Sequence, residues 1–172
     1  MFLKVFKEKS NQKFVDKTLS SRNVIVNRTK VVSAGILLND SEYFNYEEIN
    51  AFLDEIGIAS TKRKFFTFSK SKETTHNNWD NIFKPTDFGW RGKLKHKDLF
   101  YFTETPFDVL ICYFLAKDNE LKQIAAMSNA NFKVGISNED DRLYDLIIDI
   151  NTKNFEIFTK ELKKYLTILN KI

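Results

Sequence analysis

The chain has 172 residues and a mass of 20.2 kDa, with 42% hydrophobic residues, 17 phenylalanines, five glycines and two prolines. This length fits one domain, and many large rings with few chain breakers predict an ordered core, which argues against a disordered protein. The net charge of +4 is modest, and no apolar run approaches the ~20 residues needed to span a bilayer.

Cysteine usage bears on the compartment. The single cysteine, Cys112, lies within an apolar run. One buried thiol cannot form an internal disulfide, which favours a reducing compartment and a core role over a nucleophilic one. The first residues lack the long apolar region and the cleavage site of a secretion signal. We therefore expect a cytoplasmic protein.

The charges are segregated along the chain. Residues 1–30 carry eight Lys or Arg against two acids, and residues 60–97 carry ten against three. Residues 31–59 carry six acids and no Lys or Arg, and residues 98–172 carry twelve acids and nine bases. Such blocks either create local fields that attract a charged partner or cancel one another in the fold. The sequence leaves both outcomes open.

The first part of the chain is expected to begin with a basic helix within residues 1–22. Its apolar face is interrupted around residues 10–12, so its amphipathic character is imperfect. The expected elements are a helix over residues 2–19, strands over 24–26 and 31–39, a helix over 45–55 and a strand over 64–69.

The second part alternates short apolar runs with a helical period, which is typical of a parallel α/β sheet. The expected elements are strands over residues 99–103 and 107–115, a helix over 119–129, strands over 132–136 and 144–150, and a helix over 155–169. Residues 1–172 are thus predicted to form a single three-layer, Rossmann-like α/β domain. Its open sheet has about five or six mostly parallel strands, with helices on both faces.

Three motifs carry a resemblance to a known family. They are Phe88-Gly-Trp-Arg-Gly-Lys93, Phe107-Asp-Val-Leu-Ile111 and Asn131-Phe-Lys-Val-Gly-Ile136. Through them, nearly the whole chain resembles a family of small bacterial proteins whose domain has no known function. This resemblance implies no activity.

A second likeness covers residues 107–137 alone, which look like the N-terminal domain of heptosyltransferase-type glycosyltransferases. Such enzymes use two domains and hold the sugar nucleotide chiefly in the second. The likeness implies, as the alternative function, a small enzyme or a half-domain that has lost transferase chemistry.

Motifs for catalysis are missing from the sequence. Neither G-x-G-x-x-G nor G-x-x-x-x-G-K-[ST] occurs, so no classical nucleotide site is expected. His76, His96 and Cys112 do not make a zinc ligand set. The acids between residues 139 and 149 read as a solvated turn and a strand end, in preference to a magnesium site. We predict no metal, no cofactor and no catalytic residue. The sequence therefore favours a protein that is not an enzyme.

The remaining candidate site is the polar segment 71–97, expected as a long basic-aromatic loop insertion. Flat rings can stack on bases while cations hold phosphates. The candidate contacts are Trp90, Arg91, Lys93 and Lys95, with Trp79 and Phe88 as stacking or supporting rings. In the opposing interpretation, the rings only pin the loop to the sheet and the cations face water.

The expected function is that of a non-catalytic binding or interaction protein for an anionic partner or a protein assembly. The partner classes for the loop or the basic N-terminal helix are nucleic acid, a ribonucleoprotein or another protein. The helix also suits an anionic membrane surface or RNA, unless its apolar face packs on the domain. The sequence does not determine the oligomeric state.

Overall fold

A computed structural model describes residues 2–23, 29–43, 45–71, 81–115 and 117–172. Within them lie five α-helices: α1 (Phe2–Ser20), α2 (Tyr46–Glu55), α3 (Lys97–Glu104), α4 (Asn119–Met127) and α5 (Phe155–Ile168). The six strands are β1 (Ala34–Asn39), β2 (Arg63–Phe68), β3 (Asn81–Phe83), β4 (Val109–Tyr113), β5 (Lys133–Gly135) and β6 (Leu146–Ile147). The strand expected over residues 24–26 lies outside the described residues.

All six strands run parallel in one sheet, in the order β3-β2-β1-β4-β5-β6. Ala34 of β1 is in register with Arg63 of β2 on one side and with Val109 of β4 on the other. The chain proceeds outward from β1 to β3, returns to the centre, and proceeds outward again from β4 to β6. The predicted Rossmann-like open sheet is therefore confirmed.

Helices cover both faces of the sheet, so the central strands are buried on both sides and read as continuous apolar runs. On one face, α1, α3 and α4 pack over Leu37, Leu110 and Cys112. On the other, α2 and α5 pack over Ile36 and Ile111. Cys112 is fully buried, and desolvation raises the pKa of its thiol to about 12.

The strand predicted over residues 99–103 is wrong, because these residues belong to α3. Leu99, Phe102 and Thr103 are buried while Phe100 and Tyr101 are exposed, which is the spacing of one helix face. The helix is capped at its start, where the imidazole Nδ1 of His96 accepts the backbone N–H of Leu99 at 3.2 Å.

The segment 71–97, expected as one long loop, contains regular structure in its second half. It holds β3, a single 3₁₀ turn at Pro85–Asp87, and an antiparallel bridge between Phe88 and Leu94. A short apolar strand beside prolines and glycines has too little periodicity to be recognised from sequence.

Candidate functional site

The bridge between Phe88 and Leu94 closes a tight turn over residues 89–93, called the Trp90 turn below. The N–H of Gly89 donates to the carbonyl of Lys93 at 2.7 Å, and the N–H of Lys93 donates to the carbonyl of Trp90 at 3.1 Å. Arg91 (φ 54°) and Gly92 (φ 77°) both adopt the left-handed conformation. For Arg91 this conformation costs free energy, so the surrounding contacts must hold it in place.

Two buried side-chain amides fix this turn to the helices. Asn11 of α1 donates from Nδ2 to the carbonyl of Gly89 at 3.0 Å, and its Oδ1 accepts the N–H of Gly92 at 3.1 Å. Gln123 of α4 donates from Nε2 to the carbonyl of Gly92 at 3.0 Å. The ring of Phe14 lies so close to Gly92 that a Cβ there would meet it at 2.3 Å. The turn is therefore held rigidly between α1 and α4.

The tip of the turn projects into solvent. Trp90 is 48% exposed, and Arg91 and Lys93 are exposed. Within the described part of the chain, the side chains of Arg91 and Lys93 have no hydrogen bond or ion pair, whereas Lys95 donates from Nζ to the carbonyl of Thr86 at 3.2 Å. Three of the predicted contacts are thus together and accessible, and Lys95 is partly engaged.

The other two rings predicted for the site, Phe88 and Trp79, are not among the groups described at the exposed tip of the turn. Phe88 is 1% exposed and its ring lies 6.0 Å from that of Phe83, so it supports the turn from the core. Trp79 and His76 lie outside the described residues. Asn11 and Gln123 were missed by sequence reasoning. The only signal for Asn11 was the break in the apolar face around residues 10–12.

The basic helix α1, which holds the turn through Asn11, carries further cations. Lys7, Lys9, Lys13 and Lys17 have no ion pair within the residues that the structure describes, and Lys4 approaches Glu8 at 3.9 Å. The acidic block in 31–59 pairs elsewhere, with Asp54 bound to Arg63 and Glu55 to Lys163. The ion pairs among the described residues therefore leave most of the positive charge of α1 facing solvent.

The centre of the sheet offers a second location, because open α/β sheets bind ligands where the strand order reverses, here between the carboxyl ends of β1 and β4. Asn39 donates from Nδ2 to Glu42 at 3.0 Å and to Asp118 at 3.1 Å. Glu42 also accepts the N–H of Leu115 at 2.8 Å, and Lys70 forms an ion pair with Asp118. Burial raises the pKa of Glu42.

These contacts bridge the two central strands with the protein's own carboxylates. The helix that follows β1 carries Glu47 and Glu48 in its first turn, where a helix N-terminus would otherwise attract an anion. The two acids at the strand ends and the two at the helix start outnumber the nearby Lys70 and Lys117, so this arrangement disfavours a phosphate. Among the residues described, no group of three His, Cys, Asp or Glu is placed to hold a metal ion.

A cleft of about 390 Å³ lies between the carboxyl ends of α1 and α4 and contains two cations, Arg22 and Lys133. Arg22 donates to both carboxylate oxygens of Asp145 at 2.7 Å. Lys133, only 1% exposed, donates from Nζ to the carbonyl of Ala125 at 2.8 Å. Desolvation lowers the pKa of Lys133 to about 8. Both cations bind groups of the protein itself and so connect its secondary-structure elements.

Comparison with known proteins places the chain in a family by one match. Neither the curated proteins nor the solved structures gave a significant match to the chain. No helix in the described ranges combines the length and the apolar character needed to cross a membrane. One family model, described as a family of unknown function (DUF6913), matches residues 7–169. Since this match spans nearly the whole fold, the chain belongs to that family.

Proposed function

We propose that the protein is a non-catalytic, cytoplasmic binding protein that holds an anionic, phosphate-bearing partner through the Trp90 turn and the lysines of α1. The observation that carries the proposal is the fixed presentation of Trp90 and Arg91. A ring and a planar cation stand side by side in solvent on a backbone that two buried amides immobilise.

Pre-organisation supports a binding role for this turn. A loop that is already ordered loses little conformational entropy when it binds, so more of the contact energy appears as affinity. Arg91 is kept in an unfavourable backbone conformation on an exposed turn. Backbone strain of this kind persists where the surroundings over-determine it and concentrates at ligand clamps.

The chemistry of the exposed groups supports an anionic partner. Arginine binds phosphate with two parallel N–H donors, and an indole ring stacks on planar groups or lies flat on an apolar boundary. The nearby lysines of α1 add charge without internal partners among the described residues. An anion approaching the turn would therefore meet Arg91 and Lys93, with the positive charge of helix α1 next to them.

The alternative, an enzyme related to sugar-nucleotide transferases, lacks this support. Its phosphate would have to lie beside Glu42 and Asp118, which already bind Asn39. The proposal therefore favours the turn over the sheet edge.

The proposal is tested by retention on immobilised heparin, a generic polyanion, with a salt gradient for elution. Charge reversal of Arg91→Glu with Lys93→Glu should lower the eluting salt concentration clearly, because each lost cation removes a salt-dependent contact. The melting temperature should stay close to that of the wild type, since both side chains project into solvent.

The matched control is Lys153→Glu with Lys160→Glu, which changes the net charge equally on exposed positions at and beside α5, on the opposite face of the sheet. The salt concentration at which this control elutes should stay nearer to that of the wild type. Equal displacement by both pairs would mean that only net charge matters, and the proposed site would be abandoned.

A further inference from the structure

We propose that the first two turns of α1, residues 2–9, dock on the surface of an anionic lipid bilayer and lie there beside the Trp90 turn. The preference for anions comes from the proposed function, and the phosphates are here those of lipid head groups. The carrying observation is an apolar cluster on α1 that no described element covers.

The cluster is formed by Phe2, Leu3, Val5 and Phe6, of which Phe2 is 83% exposed and Phe6 is 59% exposed. The half of α1 that packs on the domain uses Asn11, Val15 and Leu19. Asn11 follows Phe2 by nine residues, about two and a half helical turns, so the two side chains point roughly 180° apart.

Helix α1 therefore changes its apolar face midway. Its C-terminal half turns an apolar row toward the sheet, and its N-terminal half turns Phe2 and Phe6 away from it, with Val5 at the flank. Leucine, valine and two phenylalanines grouped in solvent are unfavourable, and contiguous exposed apolar surface usually marks an interaction site. The domain itself leaves this group uncovered within the residues described.

The pattern around the cluster is that of a helix lying in a membrane interface. The apolar residues span an arc of about 160° on the helix, with Lys4 at the centre of the opposite arc and Lys7 next to Leu3 at the edge. Lys9 and Lys13 follow on the apolar side, where long stems can lie along the boundary with their charges among head groups. Because Leu3 and Val5 are aliphatic, they suit acyl chains and cannot stack on nucleobases as rings do.

The Trp90 turn lies on the adjacent surface. Leu3, Lys7 and Phe14 succeed one another at four and seven residues, which places them near one helical row, and Phe14 touches Gly92 of the turn. Phe14 follows Phe6 by eight residues and Leu3 by eleven, so the turn lies about two to three helical turns from the cluster. Tryptophan and arginine are favoured at the boundary between head groups and acyl chains. One bilayer surface can therefore meet both features.

The family match begins at residue 7, after the apolar cluster. Bilayer binding is therefore proposed for this chain alone.

The experiment is co-sedimentation of the full chain with vesicles of phosphatidylcholine alone and of phosphatidylcholine mixed with phosphatidylglycerol. The wild type should pellet with the acidic vesicles, less so at high salt, and stay in solution with neutral ones. Phe2→Ser with Phe6→Ser should lower the bound-to-free ratio by about tenfold or more, because two inserted rings are lost. Both positions are exposed, so the melting temperature should not fall.

The control is Phe100→Ser with Tyr101→Ser, which removes rings that are 44% and 60% exposed on α3. It should bind acidic vesicles as the wild type does. Equal losses from both pairs, or no binding of the wild type to acidic vesicles, would overturn the inference.

The remaining outcomes separate this inference from the proposed function. Heparin retention that depends on Arg91, without vesicle binding, leaves the proposed function standing and rejects the bilayer. Binding to a single-stranded oligonucleotide in place of vesicles points to nucleic acid and also rejects it. Dimerisation by light scattering that the Phe2 and Phe6 substitutions abolish, without vesicle binding, assigns the cluster to a second copy of the chain.

Discussion

Asn11 and Gln123 act as backbone clamps although each is an amide in a helix face that would otherwise be apolar. A buried amide costs free energy unless its hydrogen bonds are made. Here they are made to Gly89 and Gly92, far along the chain. Sequence patterning marks Asn11 as a defect in amphipathicity, because its partners lie some eighty residues away. The position of Trp90 and Arg91 in space could not be predicted for the same reason.

Gly92 should tolerate no side chain. Gly92→Ala puts a Cβ against the Phe14 ring and also forces alanine to adopt a positive φ. The two effects together should lower the free energy of unfolding by about 2–5 kcal/mol, of which the backbone accounts for about 1–2. Urea denaturation followed by circular dichroism measures the change.

Gly57→Ala is the matched comparison, because Gly57 also has a positive φ, of 82°, but a Cβ there has nothing within 4 Å. It should lose only the backbone contribution of about 1–2 kcal/mol. A Gly92→Ala variant no less stable than Gly57→Ala would show that the turn moves freely, against the rigid presentation argued above.

Helices and strands with a regular hydrophobic spacing over many residues could be predicted from the sequence. Elements whose type depends on one or two contacts in the folded structure could not. The strands around Ile36 and Ile111 and the helices α2, α4 and α5 follow from apolar runs and helical spacing. Residues 99–103 are apolar and short, a case in which periodicity alone does not separate helix from strand. His96 as the cap and Phe102 as the buried residue decide for a helix only in the folded structure.

Helix α4 ends on a buried cation, and this makes stability depend on pH. The Nζ of Lys133 holds the carbonyls of Ala125 and Ala126 at the end of α4. Desolvation lowers its pKa in the folded state from 10.5 to about 8. Between these values the unfolded chain binds more protons than the folded one, so the free energy of unfolding rises with pH. The full change is at most about 3 kcal/mol.

Denaturant unfolding between about pH 7.5 and about 9.5 should show this rise in the wild type, and Lys133→Met should flatten it. Burial raises the pKa of Cys112 from 9.0 to about 12, which reduces this rise above about pH 9. Burial also raises the pKa of Tyr43, Tyr113 and Tyr144, which acts in the same opposing direction above this range. Lys160→Met, at an exposed position, should keep the slope of the wild type. Identical slopes for wild type and Lys133→Met would refute the assignment.

For the whole molecule, the layers and the strand direction follow from the sequence, but whether the sheet edge binds a ligand does not. A doubly wound sheet places its usual ligand site at the reversal between β1 and β4, and a missing glycine-rich motif only argues against classical nucleotide binding. The structure adds the physical obstacle, the carboxylates of Glu42 and Asp118 beside Asn39. Which long-range groups fill that place depends on loop geometry that no local pattern encodes.

Nucleotides and sugar nucleotides should therefore leave the melting temperature unchanged in a thermal-shift panel. A ligand that binds only the folded state raises it by several degrees when present well above its dissociation constant. A consistent rise with one nucleotide, lost on Asn39→Ala, would revive the transferase alternative.

The burial of Cys112 has a practical consequence for labelling. A thiol that is fully covered and protonated at neutral pH does not react with maleimides, since the thiolate is the reactive species. A cysteine introduced at an exposed position can therefore carry a fluorophore or spin probe alone in the native protein. Conversely, the rate at which Ellman's reagent modifies the natural thiol reports how often the centre of the sheet opens.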